Sequence, residues 1–243
     1  MADGPVSDGP LLEIRTLSCS IKTFQILHSV ELQAREGQTT VILGRNGAGK
    51  TTTLRSVMGF VTQLEGSIRF RGDELIGRRT HEIARRGLSY VPENRGIFPD
   101  LTVEENLMVS APRGPIWDST LDLFPVIRER LGSKAGQLSG GQQQMLSVSR
   151  ALLREPTLLI LDEPSKGLAP MIIDELIEKL RSLQSHTSIL LVEQNLKLAR
   201  ALGQHFVMLD DGYTVASGTL EELEKEGAAE RFLTLTGMER GRP

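Results

Sequence analysis

The stretch TTVILGRNGAGKTT, residues 39–52, runs from an apolar segment through a glycine-rich loop into a hydroxyl-rich one. Thr39 to Leu43 reads as a compact strand, and Thr51 to Met58 as a helix ended by Gly59. The loop between them fits G-x-x-x-x-G-K-[ST] at Gly44, Gly49, Lys50 and Thr51, with a strand entering and a helix leaving. Glycines let the backbone fold around an anion and turn its N–H groups inward. The helix N-terminus adds a dipole that favours negative charge. Gly44, Arg45, Asn46, Gly47, Ala48, Gly49, Lys50, Thr51 and Thr52 are therefore the predicted cradle of a nucleotide phosphate. Lys50 is expected on the β- and γ-phosphates and the Thr51 hydroxyl on Mg²⁺.

Two further stretches give the loop a context. LLILDEP (158–164) is an apolar run that ends in two acids. A parallel strand delivers its C-terminal end to the ligand crevice, so Asp162 is expected to hold Mg²⁺ through water and Glu163 to polarise an attacking water. Leu138-Ser139-Gly140-Gly141-Gln142 opens another helix, and serine and glycines at a helix start form a second anion site. The chain's own phosphates are already cradled, so this second site is expected to serve a nucleotide held by another copy.

The rest of the chain fits an α/β domain. Between Leu11 and Val41 short strands are expected, with broken alternation at Leu12, Ile14 and Leu17. Ser67 to Phe70, Gly87 to Val91, Leu158 to Leu161 and Ile189 to Val192 read as further strands. Gln142 to Leu153, Met171 to Leu183 and Leu196 to Leu202 read as helices, the second with one apolar stripe from Ile172 to Leu183. Asp211-Gly212 between two apolar runs is a hairpin signal. Residues 93–137, broken by Pro99, Pro112, Pro115 and Pro125, look like a helical insertion. Strand–helix alternation with continuous apolar strands implies a parallel sheet covered by helices.

Composition narrows the function. The 243 residues are 39% hydrophobic and 24% charged, enough for a sizeable core. No apolar run approaches the about 18–20 residues of a membrane span. The start, MADGPVSDGP, reads as a disordered lead-in without a secretory pattern. The one cysteine, Cys19, allows no internal disulfide and fits a reducing compartment. A net charge of −3 argues against coating nucleic acid.

GRNGAGKT (44–51), LSGGQQ (138–143) and LLILDEP, in that order, resemble the nucleotide-binding domain of ATP-binding cassette (ABC) proteins over residues 11–237. A narrower resemblance, to the ATP-binding subunits of branched-chain amino acid (LIV-type) importers, is carried by five stretches. They are VPENRGIFPDLTVEENL (91–107), LSGGQQQMLSVSRAL (138–152), LDEPSKGLAP (161–170), LLVEQN (190–195) and LDDGYTVASGTLEEL (209–223). The resemblance implies a P-loop NTPase fold with a mostly parallel central sheet, an N-terminal antiparallel β-subdomain and a helical signature subdomain. It implies a lead-in at 1–10, an ATP-binding domain at 11–237 with a helical insertion at about 93–155, and a tail at 238–243. ATP and Mg²⁺ would sit between two head-to-tail subunits, each cradle facing the partner's Leu138 to Gln142. The implied partners are membrane permeases, a second ABC ATPase of the same or a different kind and, indirectly, a solute-binding protein, but no nucleic acid. The implied place is the cytoplasmic face of the cell membrane. The implied task is to couple ATP hydrolysis to uptake of branched-chain amino acids or similar small polar solutes. A weakly hydrolysing regulatory subunit and a urea or short-amide importer are the alternatives; a nucleic-acid ATPase and a generic P-loop enzyme fit less well.

Three positions depart from ABC proteins at large. Glu93 stands where glutamine is usual, adding charge beside the phosphates while still able to bind Mg²⁺. Gln194 stands where a phosphate-contacting histidine is usual, donating a hydrogen bond without positive charge. Ile21 stands where an aromatic ring usually stacks on adenine, and offers only apolar contact. Phe24, the nearest ring, reads as a core or surface-loop residue, Trp117 and Phe124 as packing residues, and the arginines at 78, 79, 85 and 86 as a solvated face.

Overall fold

A computed structural model describes residues 9–225. Residues 1–8 of the expected lead-in at 1–10, the end of the expected domain at 226–237 and the tail at 238–243 lie outside the described residues.

The chain opens with three strands, β1 (Leu12–Ile21), β2 (Phe24–Ala34) and β3 (Thr39–Leu43), followed by helix α1 (Lys50–Val57). Next come β4 (Leu64–Phe70), β5 (Asp73–Glu74), α2 (Thr80–Arg85) and β6 (Leu88–Val91). Four helices follow: α3 (Val103–Met108), α4 (Pro115–Leu123), α5 (Pro125–Arg128) and α6 (Gly140–Leu152). The last part alternates: β7 (Leu158–Asp162), α7 (Pro170–Leu183), β8 (Ser188–Val192), α8 (Leu196–Leu202), β9 (His205–Asp210), β10 (Tyr213–Thr219) and α9 (Leu220–Lys225).

The central sheet has the order β10-β9-β3-β8-β7-β6. Five strands are parallel, and β10 closes the edge antiparallel to β9. Every residue of β3, β7 and β8 is buried, because each strand feeds two cores. Val41, Leu43, Leu159, Leu161, Ile189 and Leu191 belong to the core under the helices α3 to α8. Ile42, Leu158, Ile160, Leu190 and Val192 belong to the core shared with α1 and the first strands. Burial on both faces is why these strands read as continuous apolar runs.

The second sheet, β2-β1-β4-β5, is antiparallel throughout. It corrects the expectation of short, separate strands before Val41, since β1 and β2 are 10 and 11 residues long. Their pairing shifts register between Ile14 and Leu17, Leu17 and Cys19, and Cys19 and Ser20. Such bulges throw side chains off the period of two, so the sequence alternation looks broken while the ladder continues.

In the helical region two of the four prolines that read as breaks are helix starts. Pro115 and Pro125 each occupy the first turn of α4 and α5, where a missing N–H is harmless. Thr102 and Glu105 form a capping box on α3. Trp117 and Phe124 are buried in the helix-side core. The hairpin turn has Asp211 at φ 49° and Gly212 at φ 78°, as a two-residue turn between twisted strands requires. Gly212 also ties three parts together: its carbonyl accepts from His28 N at 2.8 Å and its N–H donates to the Ala48 carbonyl at 3.1 Å. A Cβ there would strike the Ile26 carbonyl.

Candidate active site

The loop between β3 and α1 wraps around the Lys50 ammonium. Lys50 Nζ donates to the carbonyls of Gly44 (2.8 Å) and Arg45 (2.9 Å) and lies 3.7 Å from Glu163 Oε1. Burial pushes its pKa down, opposed by the charges of Glu163 and Asp162. Arg45, Asn46 and Gly47 face solvent at the loop's tip, while Ala48 and Gly49 are buried and Thr52 half-buried.

The end of β7 carries the two acids to the same place. Asp162 is 1% exposed, and its Oδ1 accepts from Thr51 Oγ1 at 3.0 Å. Its Oδ2 accepts from the Tyr90 hydroxyl at 2.9 Å. Burial raises the Asp162 pKa, the hydrogen bonds from Tyr90 and Thr51 work against that rise, and the charges of Glu163 and Glu93 add to it. The Tyr90 phenol is itself pushed well up, first by burial and then by the Asp162 charge beside it, so it remains a proton donor. Thr51 commits its hydrogen to Asp162, which leaves its oxygen lone pairs free. Thr51 and Asp162 are an all-oxygen pair of the kind that suits a hard divalent cation completed by phosphate oxygens and water.

Glu163 leaves the strand in the left-handed region at φ 48°. Its N–H donates to the Val192 carbonyl at 2.9 Å, which fixes the turn on β8. Gln194 Nε2 donates to Glu163 Oε1 (2.7 Å) and to Asn46 Oδ1 (2.5 Å), joining the acid to the tip of the glycine loop. Glu93 lies apart from Thr51 and Asp162 in its contacts: its Oε1 is 2.5 Å from Lys166 Nζ. Thr51, Tyr90, Glu93 and Asp162 line a cleft of about 650 Å³ that continues to Arg55 and to Arg150 on α6.

The other predicted groups stand on their own. Ser139 Oγ accepts from Gln142 N (3.3 Å) and Gln142 Oε1 accepts from Ser139 N (3.0 Å), a capping box at the start of α6. Leu138 and Gly141 are buried beneath it, and Gly140 packs against the Arg95 guanidinium, whose Nη1 donates to Gln143 Oε1 at 3.0 Å. Ile21 ends β1 opposite Phe24, across the turn at Lys22 and Thr23. Both are exposed, Ile21 by 44% and Phe24 by 72%, so Phe24 is a surface residue.

The family described as "ABC transporter" matches residues 27–166, more than half of the chain. The chain belongs to that family. The cassette is 39% identical over 216 residues to the "High-affinity branched-chain amino acid transport ATP-binding protein BraG" of Pseudomonas aeruginosa, spanning 86% of this chain and 93% of BraG. To the corresponding protein BraF of the same organism it is 33% identical over 239 residues, spanning 88% and 93%. A solved structure of the ATP binding subunit of an ABC transporter aligns with a TM-score of 0.81 at 30% identity, covering 93% of this cassette and 99% of that chain. The cassette is thus an ATP-binding, ATP-hydrolysing chain of the ABC type, and among its described residues no helix is long and apolar enough to cross a membrane.

Two residues of the site escaped the sequence reading. Tyr90 reaches Asp162 because β6 pairs in register with β7, Tyr90 opposite Ile160. Glu193, 2% exposed, accepts from the backbone N–H of Ser165 (2.9 Å), Gln194 (3.0 Å) and Asn195 (3.0 Å). Burial raises its pKa against those hydrogen bonds. Its signal was present in the sequence: SILLVE ends an apolar strand in an acid, as LLILDE does.

Proposed function

We propose that the cassette is the ATP-hydrolysing subunit of an importer for branched-chain amino acids or similar small polar solutes, acting at the cytoplasmic face of the cell membrane. The observation that carries the hydrolytic reading is the meeting of Lys50, Thr51, Asp162, Glu163 and Gln194 at one end of the parallel sheet. The solute class is supported by the names of BraG and BraF.

In this reading the triphosphate lies along residues 44–52, with backbone N–H groups and Lys50 on its oxygens. Thr51 and Asp162, with Glu93 nearby, would hold Mg²⁺, which would neutralise charge on the phosphates. Glu163, oriented by its direct hydrogen bond from Gln194, takes a proton from a water held on its carboxylate. The water oxygen bonds to the γ-phosphorus, the bond from that phosphorus to the bridging oxygen breaks, and ADP and inorganic phosphate leave. Gln194, anchored on Asn46, keeps Glu163 over the phosphate loop. Ser139 to Gln142, a pre-capped helix start, completes the site of a partner cassette. Resemblance to both BraG and BraF supports a second, different ATPase as that partner, and permeases would dock on the helical insertion at 93–137. The domain at 11–237 with its helical insertion at about 93–155 is part of the same reading.

Glu163→Gln is expected to abolish Mg²⁺-dependent phosphate release, by about 10²-fold or more, while calorimetry still detects ATP binding. Unchanged turnover would exclude Glu163 as the base. A weakly hydrolysing regulatory role is separated by measuring turnover with and without a second cassette.

A further inference from the structure

Three carboxylates, Asp162, Glu163 and Glu93, face the ground on which a tetra-anionic nucleotide is proposed to sit. Lys50 serves this region from the phosphate loop. A second ammonium comes from the other side. Lys166 Nζ lies 2.5 Å from Glu93 Oε1 and 3.6 Å from Glu163 Oε2, so one side chain bridges the loop after β6 and the loop after β7. Its own position is set by the backbone: Lys166 N donates to the Glu163 carbonyl at 3.1 Å, closing a turn just beyond the strand.

The pair does not explain itself as fold stabilisation. The Lys166 side chain is 58% exposed and that of Glu93 is 42% exposed, and exposed ion pairs contribute little to folding. Its placement matters through charge. A glutamine at position 93 would bring no charge to the site, whereas Glu93 brings one negative charge into a region that already holds two acids. Lys166 returns the local sum to what a neutral residue at 93 would give. Unlike a free counter-ion, it is fixed in place and touches Glu163 at the same time.

We propose that Lys166 is a positioning residue of the ATPase site, cancelling the charge of Glu93 and holding the Glu93 and Glu163 loops together. This rests on the reading that ATP occupies residues 44–52. The consequence is a specific dependence between two positions. Without Lys166, uncompensated Glu93 repels the nucleotide, and most strongly when no divalent cation screens the phosphates. With Glu93 also neutralised, Lys166 has nothing left to cancel.

The test compares wild type, Lys166→Ala, Lys166→Arg and Lys166→Ala combined with Glu93→Gln. Calorimetry measures ATP affinity in EDTA and in Mg²⁺, and steady-state kinetics gives kcat and KM. Lys166→Ala is expected to weaken binding of metal-free ATP about five- to tenfold, the effect of roughly one unscreened charge contact, and that of MgATP about twofold or less. It is expected to lower kcat about tenfold with KM for MgATP almost unmoved, because Glu163 keeps its Gln194 hydrogen bond but loses the ammonium beside Oε2. Adding Glu93→Gln restores metal-free affinity, and Lys166→Arg retains it. Thermal melts check that the exposed substitution leaves the fold intact. If Lys166→Ala matches wild type in EDTA, or if Glu93→Gln fails to rescue it, the proposal is overturned. If wild type itself binds no ATP, what fails is the assignment of residues 44–52, a separate result.

Discussion

Glu193 is 2% exposed and survives there through three backbone donors. Those donors belong to two loops, one carrying Ser165 and the other Gln194, so a single carboxylate aligns both edges of the site. Glu193→Ala is expected to lose about 3 kcal/mol of stability, since buried N–H groups would be left without acceptors, and to lower kcat as Gln194 drifts; urea unfolding and steady-state rates check both. Glu74 offers a simpler case. Burial tends to raise its pKa, but hydrogen bonds from Ser67, Ile68, Ile76 and Leu75 outweigh that and hold it below the usual 4.5. A depressed carboxylate contributes stability above its unfolded pKa and loses it as pH falls through the folded one. Glu74→Gln should therefore lower the thermal midpoint at neutral pH, and the gap to wild type should close on acidification below about pH 4.5, as melts across pH 3–7 would register. Motif residues such as Lys50, Thr51, Asp162 and Glu163 were legible because their spacing along the chain is local. Tyr90 and Lys166 were not, because Asp162 and Glu93 reach them only through strand register and loop closure between distant segments; Glu193 was signalled by the acid that ends SILLVE, but its bond from Ser165 N comes from such a closure.

The strands β3, β7 and β8 were readable because burial on both faces leaves a continuous apolar run. Helix α7 was readable because its stripe from Ile173 to Leu180 is buried at helical spacing. By contrast β5 and α2, at 2 and 6 residues, are too short for any period to emerge, and the bulged β1 hides its alternation. Contact between α6 and α7 could not be foreseen either. Gly141 on α6 lets the helix approach α7 so closely that an added Cβ would lie 2.7 Å from Ile172 Cγ2. Gly141→Ala is expected to cost about 1–3 kcal/mol by overpacking, partly recovered by Ile172→Ala, which removes both γ carbons from the contact. Differential scanning calorimetry on the single and double variants tests the pairing, and additive losses would contradict it.

One central sheet separates two cores and carries the proposed chemistry at one end, so the cradle and the α6 helix start are built from different faces of the same scaffold. The capping box of Ser139 and Gln142 is closed within its own helix, which suits the proposed role of the start of α6 as the surface that meets a second cassette. Ser139→Arg is accordingly expected to abolish the ATP-induced dimer of the Glu163→Gln background in size-exclusion chromatography, while monomer affinity for ATP stays within about twofold. Equal dimer formation would show that this surface is not at the interface. The fold class and the order of its parts were legible in the sequence; the seam that makes them one body was not. That seam passes through Gly212, whose two backbone groups reach His28 and Ala48. Short hairpin tips are ordinarily convenient places to insert an epitope or a fluorophore, because nothing leans on them. This one is a keystone, so a label engineered between β9 and β10 would report on a damaged glycine loop rather than on a working ATPase.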